Sequence, residues 1–293
     1  MITGVNGLVG QHLTIPLLQA GHTVIGLGRG PLRIPFAAFG AFTYYGIDIT
    51  HDFLLQEIMQ RERPECVIHA AAMTQVDECQ LNQEKAEAIN VLATASLLSL
   101  AEEYSRYFLY VSTDFVFDGM KGNYKETDAV NPINWYGFTK MQAEAITQTS
   151  TIPWAIARTC LVFGNRINES GNNIISWVKK NLENATPIKL VNDQWRTPSF
   201  AEDLAAGLLL MIEKQSGGIY HLSGKDRLTP YAMALETADF LKLDPAVLEP
   251  VETVSFQQAA KRPLLTGLDI SKSIKDLGFA PKSFKEGLRK MLS

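Results

Sequence analysis

Tyrosine and lysine four positions apart form the first pair of residues in this sequence that could do chemistry. They are Tyr136 and Lys140, in the segment Tyr-Gly-Phe-Thr-Lys. On a helix this spacing places both side chains on one face. A tyrosine pKa of about 10 is too high for ready proton exchange at neutral pH, and a neighbouring ammonium group lowers it. The pair therefore predicts proton transfer by Tyr136, although the same spacing also occurs on ordinary helix surfaces.

A hydroxyl group precedes this pair at the end of an apolar run. The strand-like residues 108–111 are followed by Ser112, Thr113 and Asp114. In an open parallel sheet the carboxyl ends of the strands face the crevice that binds ligands. We therefore expect Thr113, and as second choice Ser112, to hydrogen-bond a substrate carbonyl and orient the tyrosine. The alternative is a hydroxyl that caps a turn.

The chain begins with three glycines at a spacing typical of dinucleotide-binding loops. Gly4, Gly7 and Gly10 follow a short strand-like start and lead into a helix-length stretch. In such loops the first glycine allows a tight turn, the second lets the backbone approach a pyrophosphate, and the third lets the helix pack against the sheet. The helix N-terminus then binds the phosphates. The alternative is a plain glycine-rich turn.

The end of the second strand indicates which dinucleotide would bind. NAD-specific folds usually place an acidic residue there, whereas this sequence has Arg29 in Leu-Gly-Arg-Gly. An arginine can pair with a 2′-phosphate, so we expect NADPH rather than NADH, unless Arg29 is simply a solvated surface residue. Asp48, after the third strand, is placed to meet the adenine edge or to cap the following helix.

Strand and helix signals alternate through the first half of the chain. We expect strands at 22–28, 42–47, 66–70, 107–112 and 154–159, with helices at 8–20, 53–61, 83–103 and 135–149. Pro16 should kink the first of these helices. This alternation predicts an α/β fold, a Rossmann-type doubly wound parallel sheet.

The regular alternation of strand and helix signals ends near Arg166. We expect residues 1–165 to form a dinucleotide-binding domain, completed by about 195–214, and residues 166–293 to form a smaller C-terminal α/β substrate lobe. In the second part the sequence predicts helices at 174–183 and 201–214 and a strand at 219–222.

Composition excludes several classes of protein. The net charge is −4 over 293 residues and no Lys/Arg-rich block is present, which argues against nucleic-acid binding. The longest apolar run, within 204–212, is too short to span a membrane. Three widely spaced cysteines fit neither a disulfide framework nor a zinc site and suit a cytoplasmic protein, and the five histidines show no metal-ligand spacing.

These motifs together resemble the extended short-chain dehydrogenases/reductases, and within them the dTDP-4-dehydrorhamnose reductases. The resemblance covers nearly the whole chain. It rests on the glycine loop, Ala70-Ala71-Ala72 with 74–77, the segment STDFVFDG at 112–119, residues 132–140, Arg158-Thr159, Asp193-Gln194 and Arg262-Pro263.

The resemblance implies a catalytic triad of Thr113, Tyr136 and Lys140. Hydride would pass from the nicotinamide to C4 of a 4-keto sugar on a nucleotide, Tyr136 would protonate the oxygen, and Lys140 would also hold the ribose. The cofactor would contact a set of residues along the sheet edge: Gly4, Asn6, Gly7, Leu8, Val9, Gly10, Arg29, Asp48, Ile49, Ala70, Ala71, Ala72, Tyr136 and Lys140. The sugar pocket would be lined by a second set: Thr74, Val76, Asp77, Thr113, Asp114, Phe115 and Arg196.

The sequence departs from this family at two places. A tryptophan usual after Arg-Thr-Ser is missing, since the run here is Arg158-Thr159-Cys160-Leu161, and a glycine usual after Asp-Gln is replaced in Asp193-Gln194-Trp195-Arg196. We expect Arg196 either to grip a phosphate of the sugar nucleotide or to form an ordinary salt bridge between the two lobes.

Two other functions stay open on the same scaffold. An epimerase or dehydratase would use Asp114 beside Thr113 as an acid. A non-catalytic, NADP-binding subunit is the second, because the regulatory beta subunit of methionine adenosyltransferase resembles the same reductases. The resemblance also makes a homodimer plausible.

Overall fold

Seven parallel strands form the main sheet, in a computed structural model that describes residues 1–33, 40–167 and 173–292. In their order across the sheet they are β10 (Gly218–His221), β6 (Trp154–Thr159), β5 (Tyr107–Thr113), β4 (Cys66–His69), β1 (Ile2–Thr3), β2 (Val24–Gly28) and β3 (Phe42–Gly46). The chain runs outward from β1 to β3 and then returns to β4 on the other side of β1. Ligands bind such sheets at this reversal. The predicted Rossmann-type α/β fold is confirmed.

Helices cover both faces of the sheet, and the period-2 alternation of strand side chains gives each face its own core. On one face α1 (Leu8–Gln19), α8 (Ala201–Glu213) and α10 (Ser271–Leu277) pack against residues such as Ile68 and Leu109. On the other face α2 (Asp52–Glu62), α5 (Ala93–Tyr104) and α6 (Trp135–Gln148) pack against Val67 and Phe108. Because both faces are covered, the central strands β2 and β4 are largely apolar and buried.

Two local features differ from the sequence-based prediction. The helix expected at 83–103 is divided into α4 (Gln83–Glu87), a π-helical turn (Ala88–Leu92) and α5. An additional short helix, α3 (Val76–Leu81), follows β4. The first helix continues through Pro16 to its end at Gln19, and the kink expected at Pro16 stays a prediction.

The smaller lobe is built from helices around two short strand pairs. Strand β8 (Ile188–Val191) pairs with β11 (Leu248–Val251), and β7 (Val162–Phe163) pairs with β9 (Ser199–Phe200), both in parallel. Helices α7 (Ile174–Glu183), α9 (Pro230–Leu241) and α11 (Phe284–Leu292) supply the remaining core. Among the described residues, no helix has the length and apolar character needed to cross a bilayer.

The strand expected in the smaller lobe at 219–222 instead completes the main sheet. It forms β10, whose Ile219 lies opposite Ile156 of β6. The chain passes from β6 to β10 through α8, which packs beside α1. A strand–helix–strand crossover of this kind buries the apolar face of its helix on the sheet that it extends. Residues 201–221 therefore belong structurally to the sheet and not to the smaller lobe.

We predict that Gly137→Ala destabilises the protein. A Cβ atom there would overlap the carbonyl oxygen of Phe115 and lie 3.0 Å from the Cβ atom of Pro132. Forcing α6 away from the end of β5 should lower the free energy of unfolding by about 1–3 kcal/mol. Urea denaturation followed by circular dichroism measures this change. The matched control is Gly217→Ala, whose nearest atom would be the Trp154 carbonyl oxygen at 3.9 Å. Equal unfolding midpoints for the two variants would contradict the prediction.

Candidate active site

Thr113, Tyr136 and Lys140 lie together where β5 ends and α6 begins. Thr113 is the last residue of β5, and its hydroxyl faces the phenol of Tyr136, whose pKa it lowers. Lys140 lies one turn further along α6, where its Nζ atom donates to the carbonyl oxygen of Val111 over 2.8 Å and sits 4.1 Å from the centre of the Tyr110 ring. A hydroxyl, a phenol and an ammonium group are thus held on one strand end and one helix face.

The start of α6 is fixed by a capping asparagine that also reaches the smaller lobe. The Oδ1 atom of Asn134 accepts from the Gly137 amide over 2.9 Å, and its Nδ2 atom donates to the carbonyl oxygen of Lys261, also over 2.9 Å. An asparagine at this position satisfies an amide that the helix leaves without a partner. Tyr136 therefore lies in a helical turn whose position depends on the contact between the two lobes.

Burial shifts the pKa values of Tyr136 and Lys140 in opposite directions. Desolvation raises the pKa of Tyr136, and the hydrogen bond from Thr113 opposes this. Desolvation lowers the pKa of Lys140 to about 7, opposed by the charge of Glu144. In the protein without a bound cofactor, loss of hydration thus places the pKa of Tyr136 above its ordinary value. A lowering of this pKa by the neighbouring ammonium stays a prediction.

Thr113 and not Ser112 faces Tyr136. Consecutive residues of a strand point to opposite faces of the sheet, so the two hydroxyls cannot both reach the tyrosine. The Thr113 hydroxyl contacts Tyr136 and accepts from the Phe115 amide over 3.2 Å, whereas the Ser112 hydroxyl is buried without a hydrogen-bond partner.

Asp114 lies beneath this group with its carboxylate almost wholly buried. Its Oδ2 atom accepts from the Thr266 hydroxyl and from the Cys160 thiol, the latter over 3.2 Å. Its Oδ1 atom lies 3.2 Å from the Thr113 hydroxyl oxygen. Burial raises the pKa of Asp114, while the charge of Arg196 and these hydrogen bonds oppose the rise. The carboxyl group expected in the sugar pocket thus contacts protein donors through both oxygens.

The glycine loop closes tightly against the turn after β4. Gly4 has a φ of +73°, and a Cβ atom there would lie 3.0 Å from the Ala71 Cα atom. A Cβ atom on Gly10 would overlap the Gly4 carbonyl oxygen. The N-cap of α1, Gly7, provides no side-chain hydrogen bond, and the first helical turn holds no acidic residue. An uncapped N-terminus with backbone exposed by glycine is suited to an anionic ligand.

A buried histidine fixes the Ala70–Ala71 turn beside this loop. Thr3 accepts from the amides of Ala70 and Ala71 over 3.2 and 3.1 Å and contacts the Nδ1 atom of His69 at 2.7 Å. The Nε2 atom of His69 lies 3.0 Å from the Thr94 hydroxyl oxygen. Burial lowers the pKa of His69 to about 3, so it is neutral at physiological pH. It acts as a satisfied core residue that orders the turn.

Asn6 organises the loop that carries the two exposed arginines. Its side chain donates to the carbonyl oxygens of Arg29 and Pro31 and accepts from the amide of Arg33 over 3.1 Å. Tyr44 donates to Gly28 and Gly30 in the same loop. Both arginine side chains point to solvent near the edge of the sheet, and sequence reasoning missed Arg33.

Asp48 lies within the electrostatic reach of Arg29. Its Oδ1 atom accepts from the amide of Thr50 over 3.1 Å and from the hydroxyl of the same residue over 2.9 Å. Burial raises the pKa of Asp48, but these hydrogen bonds and the charges of Arg29 and His51 outweigh it and lower the value overall. Asp48 thus caps a turn before α2 and not the helix itself, since the N-cap is His51.

The other predicted contact residues line the same edge. Leu8 and Val9 open α1, Ile49 is buried after β3, and Ala72 follows β4. Thr74 is exposed, Val76 begins α3, and Phe115 packs edge-on against Tyr136 with ring centres 5.9 Å apart.

Arg196 is directed into the protein. Its side chain is 3% exposed and donates to the carbonyl oxygens of Trp195, Pro263 and Leu264 and to the Gln194 side chain. Its guanidinium group also lies 5.5 Å from the centre of the Phe115 ring. A group so fully engaged has little capacity left for a phosphate. Its four acceptors are neutral and belong to the smaller lobe, so these hydrogen bonds hold segments of that lobe together and do not form the expected salt bridge between the lobes.

Two further contacts at the site were not predicted from the sequence, although Asp77 and Arg262 were each singled out there. Asn90, in the π-helical turn, accepts from the amide of Met73 over 2.8 Å and donates to the hydroxyl of Thr139 over 3.0 Å, which links α6 to the turn after β4. Asp77 forms a two-pronged ion pair with Arg262, with 2.7 Å between Oδ2 and Nη2. Among the described residues, no group of three or more His, Cys, Asp or Glu side chains is arranged to hold a metal ion.

Comparison with known proteins gives relatives that span the whole chain. dTDP-4-dehydrorhamnose reductase of Aggregatibacter actinomycetemcomitans is 30% identical over 302 residues, which cover 99% of this chain and 96% of that protein. The methionine adenosyltransferase 2 subunit beta of Xenopus laevis is 28% identical and is matched over 100% of this chain and 86% of its own length.

Solved structures with the same fold agree with these relatives. A hypothetical dTDP-4-dehydrorhamnose reductase from Sulfolobus tokodaii superimposes with a TM-score of 0.84 at 32% identity, covering 98% of this chain and 97% of that one. A dTDP-4-dehydrorhamnose reductase from Bacillus anthracis in complex with NADP gives 0.83 at 25% identity, covering 99% and 96%. The family model described as the RmlD substrate binding domain matches residues 1–293. The resemblance inferred from the sequence motifs is therefore confirmed, and the chain belongs to the RmlD substrate-binding-domain family of extended short-chain reductases.

Proposed function

We propose that this protein is an NADPH-dependent reductase that acts on a keto group of a nucleotide-linked sugar, in the manner of dTDP-4-dehydrorhamnose reductase. The observation that carries the proposal is the convergence of Thr113, Tyr136 and Lys140 beside a glycine loop with an uncapped helix N-terminus. The family relatives named dTDP-4-dehydrorhamnose reductase support the same reaction class.

The residues at the sheet edge fit a dinucleotide. The tight approach of Gly4 and Gly10 leaves the start of α1 open to a pyrophosphate, and Arg29 and Arg33 stand at the end of β2 where a 2′-phosphate would lie. When bound, NADPH supplies the hydride for the reduction. The likeness to a structure solved in complex with NADP supports this choice of cofactor.

Tyr136 is suited to act as the proton donor. A reduction needs a protonated acid beside the ketone oxygen, because that oxygen gains negative charge as the carbonyl is reduced. Burial raises the pKa of Tyr136, which keeps the phenol protonated at neutral pH until this charge develops. Thr113 offers a second hydroxyl to the same oxygen, and hydrogen-bond donors at a developing oxyanion lower the barrier.

Lys140 is suited to hold the ribose and to gain or lose a proton as its surroundings change. Its pKa near 7 means that a modest change of environment, such as hydroxyl groups replacing the Val111 carbonyl contact, alters its protonation. The sheet with α1 to α6, α8 and β10 would carry the cofactor, and the remaining lobe would hold the sugar nucleotide. A homodimer is part of the proposal on family resemblance alone.

A second candidate is a non-catalytic binding subunit. Methionine adenosyltransferase 2 subunit beta of Xenopus laevis matches the whole chain at 28% identity, close to the value for the reductase relative. The intact triad favours the enzyme, since a binding subunit has no need of a buried phenol beside a buried ammonium group.

We predict that Tyr136→Phe abolishes reduction without loss of NADPH binding. The substitution removes the proton donor but keeps the ring that packs on Phe115. Loss of a general acid should lower kcat by about 10²–10⁴-fold. NADPH oxidation with a panel of dTDP- and GDP-linked 4-keto sugars is followed by absorbance, and NADPH binding by fluorescence titration.

The same assay on the wild-type protein distinguishes the candidate functions. Turnover of NADPH on one of these sugars supports the reductase. Binding of NADPH with no oxidation on any sugar, together with association with a methionine adenosyltransferase catalytic subunit, would favour the binding subunit. Product formed without net consumption of NADPH would indicate an epimerase or dehydratase.

We predict that Arg29→Ala weakens binding of NADPH far more than binding of NADH. Its guanidinium group would lose a charge-assisted contact to the 2′-phosphate, worth about 1.5–3 kcal/mol or roughly 10–150-fold in Kd. Arg33→Ala tests the second cation of the same loop. The control is Arg106→Ala, since this arginine precedes β5 at the opposite end of the strands. Equal losses for the two cofactors in both Arg29 and Arg33 variants would exclude a phosphate contact here.

A further inference from the structure

Asp114 presents a buried carboxyl group to three uncharged donors. Thr266 and Cys160 both donate to its Oδ2 atom, and the Thr113 hydroxyl faces its Oδ1 atom at 3.2 Å. The side chain is 2% exposed, so water does not complete this shell. A carboxyl in such surroundings is held by hydrogen bonds whose direction depends on its own protonation state.

The Thr113 hydroxyl can form only a small number of hydrogen bonds at once. Its oxygen accepts from the Phe115 amide over 3.2 Å, which uses one lone pair. A hydroxyl has one proton and two lone pairs, so one proton and one lone pair remain. They are shared between Asp114 on one side and the Tyr136 phenol, or a substrate oxygen, on the other.

The charge of Asp114 sets which way the Thr113 proton points. As a carboxylate, Asp114 accepts only, so Thr113 must donate to it and has no proton for a substrate carbonyl. As a carboxylic acid, its proton belongs on Oδ1, because Oδ2 already accepts from Thr266 and Cys160. The acid then donates to Thr113, whose own proton is free to turn toward the substrate.

We propose that Asp114 is a positioning residue that acts through Thr113: as a neutral acid it donates from Oδ1 to the Thr113 hydroxyl and directs that hydroxyl at the ketone oxygen. The inference rests on the proposed reductase function. It assigns Asp114 a role beneath the catalytic hydroxyl and not a direct contact with the sugar.

The groups around Asp114 are consistent with a neutral form. Burial raises its pKa, and the charge of Arg196 is the main opposing influence. The titratable groups that face it are Tyr136 on α6 and Cys160 after β6, and burial raises the pKa of both. Neither group therefore adds a negative charge near neutral pH. Arg196 donates to four uncharged acceptors, so its charge persists, and the burial of Asp114 outweighs it.

Asp114→Asn tests the proposal through the pH profile. The amide can donate from Nδ2 to Thr113 while its oxygen accepts from Thr266 and Cys160, and it cannot ionise. Because the neutral acid is the active form, wild-type kcat/KM should fall as pH rises through the pKa of Asp114, by about tenfold per pH unit above it. We call this fall with rising pH the alkaline limb. We expect the limb to be absent in Asp114→Asn, while the ionisations of Tyr136 and Lys140 persist in both proteins.

A double variant shows whether Asp114 acts through Thr113. In a Thr113→Val background the hydroxyl is missing, so Asp114→Asn should leave the pH profile of that variant unchanged. The control Cys160→Ser keeps a donor to Oδ2 and should retain the limb. A limb that persists in Asp114→Asn, or that is altered equally in the Thr113→Val background, would overturn the proposal.

An infrared titration gives a readout that needs no substrate. At a pH where exposed carboxyls are ionised, the full-length wild-type protein should show a carboxylic-acid C=O band that disappears in Asp114→Asn. Its absence from the wild type would overturn the proposal whether or not the protein turns over a sugar. Its presence in a protein that reduces none of the tested sugars would count against the proposed function and leave the proton on Asp114 established.

Discussion

The docking of α6 against the end of β5 is the contact on which the site depends. Gly137 lets the helix approach the carbonyl oxygen of Phe115, and Lys140 donates from the same helix to Val111 of the strand. Asn134 links the start of α6 to the smaller lobe, because its side chain donates to the carbonyl oxygen of Lys261. A shift of α6 along the strand would separate the phenol from the threonine hydroxyl, because both positions are set by backbone and not by flexible side chains. The chemistry of the site is therefore a consequence of helix packing.

The same helix brings a buried ion pair close to the lysine. Glu144, one turn beyond Lys140, accepts from Arg158 of β6 through both oxygens at 2.9 and 2.6 Å, and both side chains are almost wholly buried. Desolvation of such a pair is costly, and removal of one partner leaves an unpaired charge in the core. The Glu144 carboxylate raises the pKa of Lys140, but desolvation is the larger influence. Burial can therefore lower the lysine pKa to about 7.

Much of the site was predictable because its signals are local. The three glycines, the strand-end Thr113 and the spacing of Tyr136 and Lys140 each depend on a few consecutive residues, and periodicity alone located most strands and helices. The missing parts depend on distant contacts. Asp114 meets Cys160 and Thr266 from 46 and 152 positions away, and no local pattern encodes those distances. The π-helical turn at Ala88–Leu92 and the return of β10 to the sheet are set by tertiary packing in the same way.

Under the proposed function, substrate choice and reaction type depend on different parts of the structure. The proposed catalytic residues lie on β5 and α6, whose geometry is fixed inside the larger sheet. The wall of the proposed sugar pocket would include a segment of the smaller lobe. Arg196 holds this segment through the carbonyl oxygens of Pro263 and Leu264, and Arg262 ties it to Asp77. The departures from the family pattern lie in the same region: Leu161 packs against the buried cluster that contains Val116 and Phe117, and the backbone of Trp195 pairs with Leu264 and Thr266. Under the proposed function, a sequence can therefore change at this wall and alter which sugar fits while Tyr136 and Thr113 stay in place.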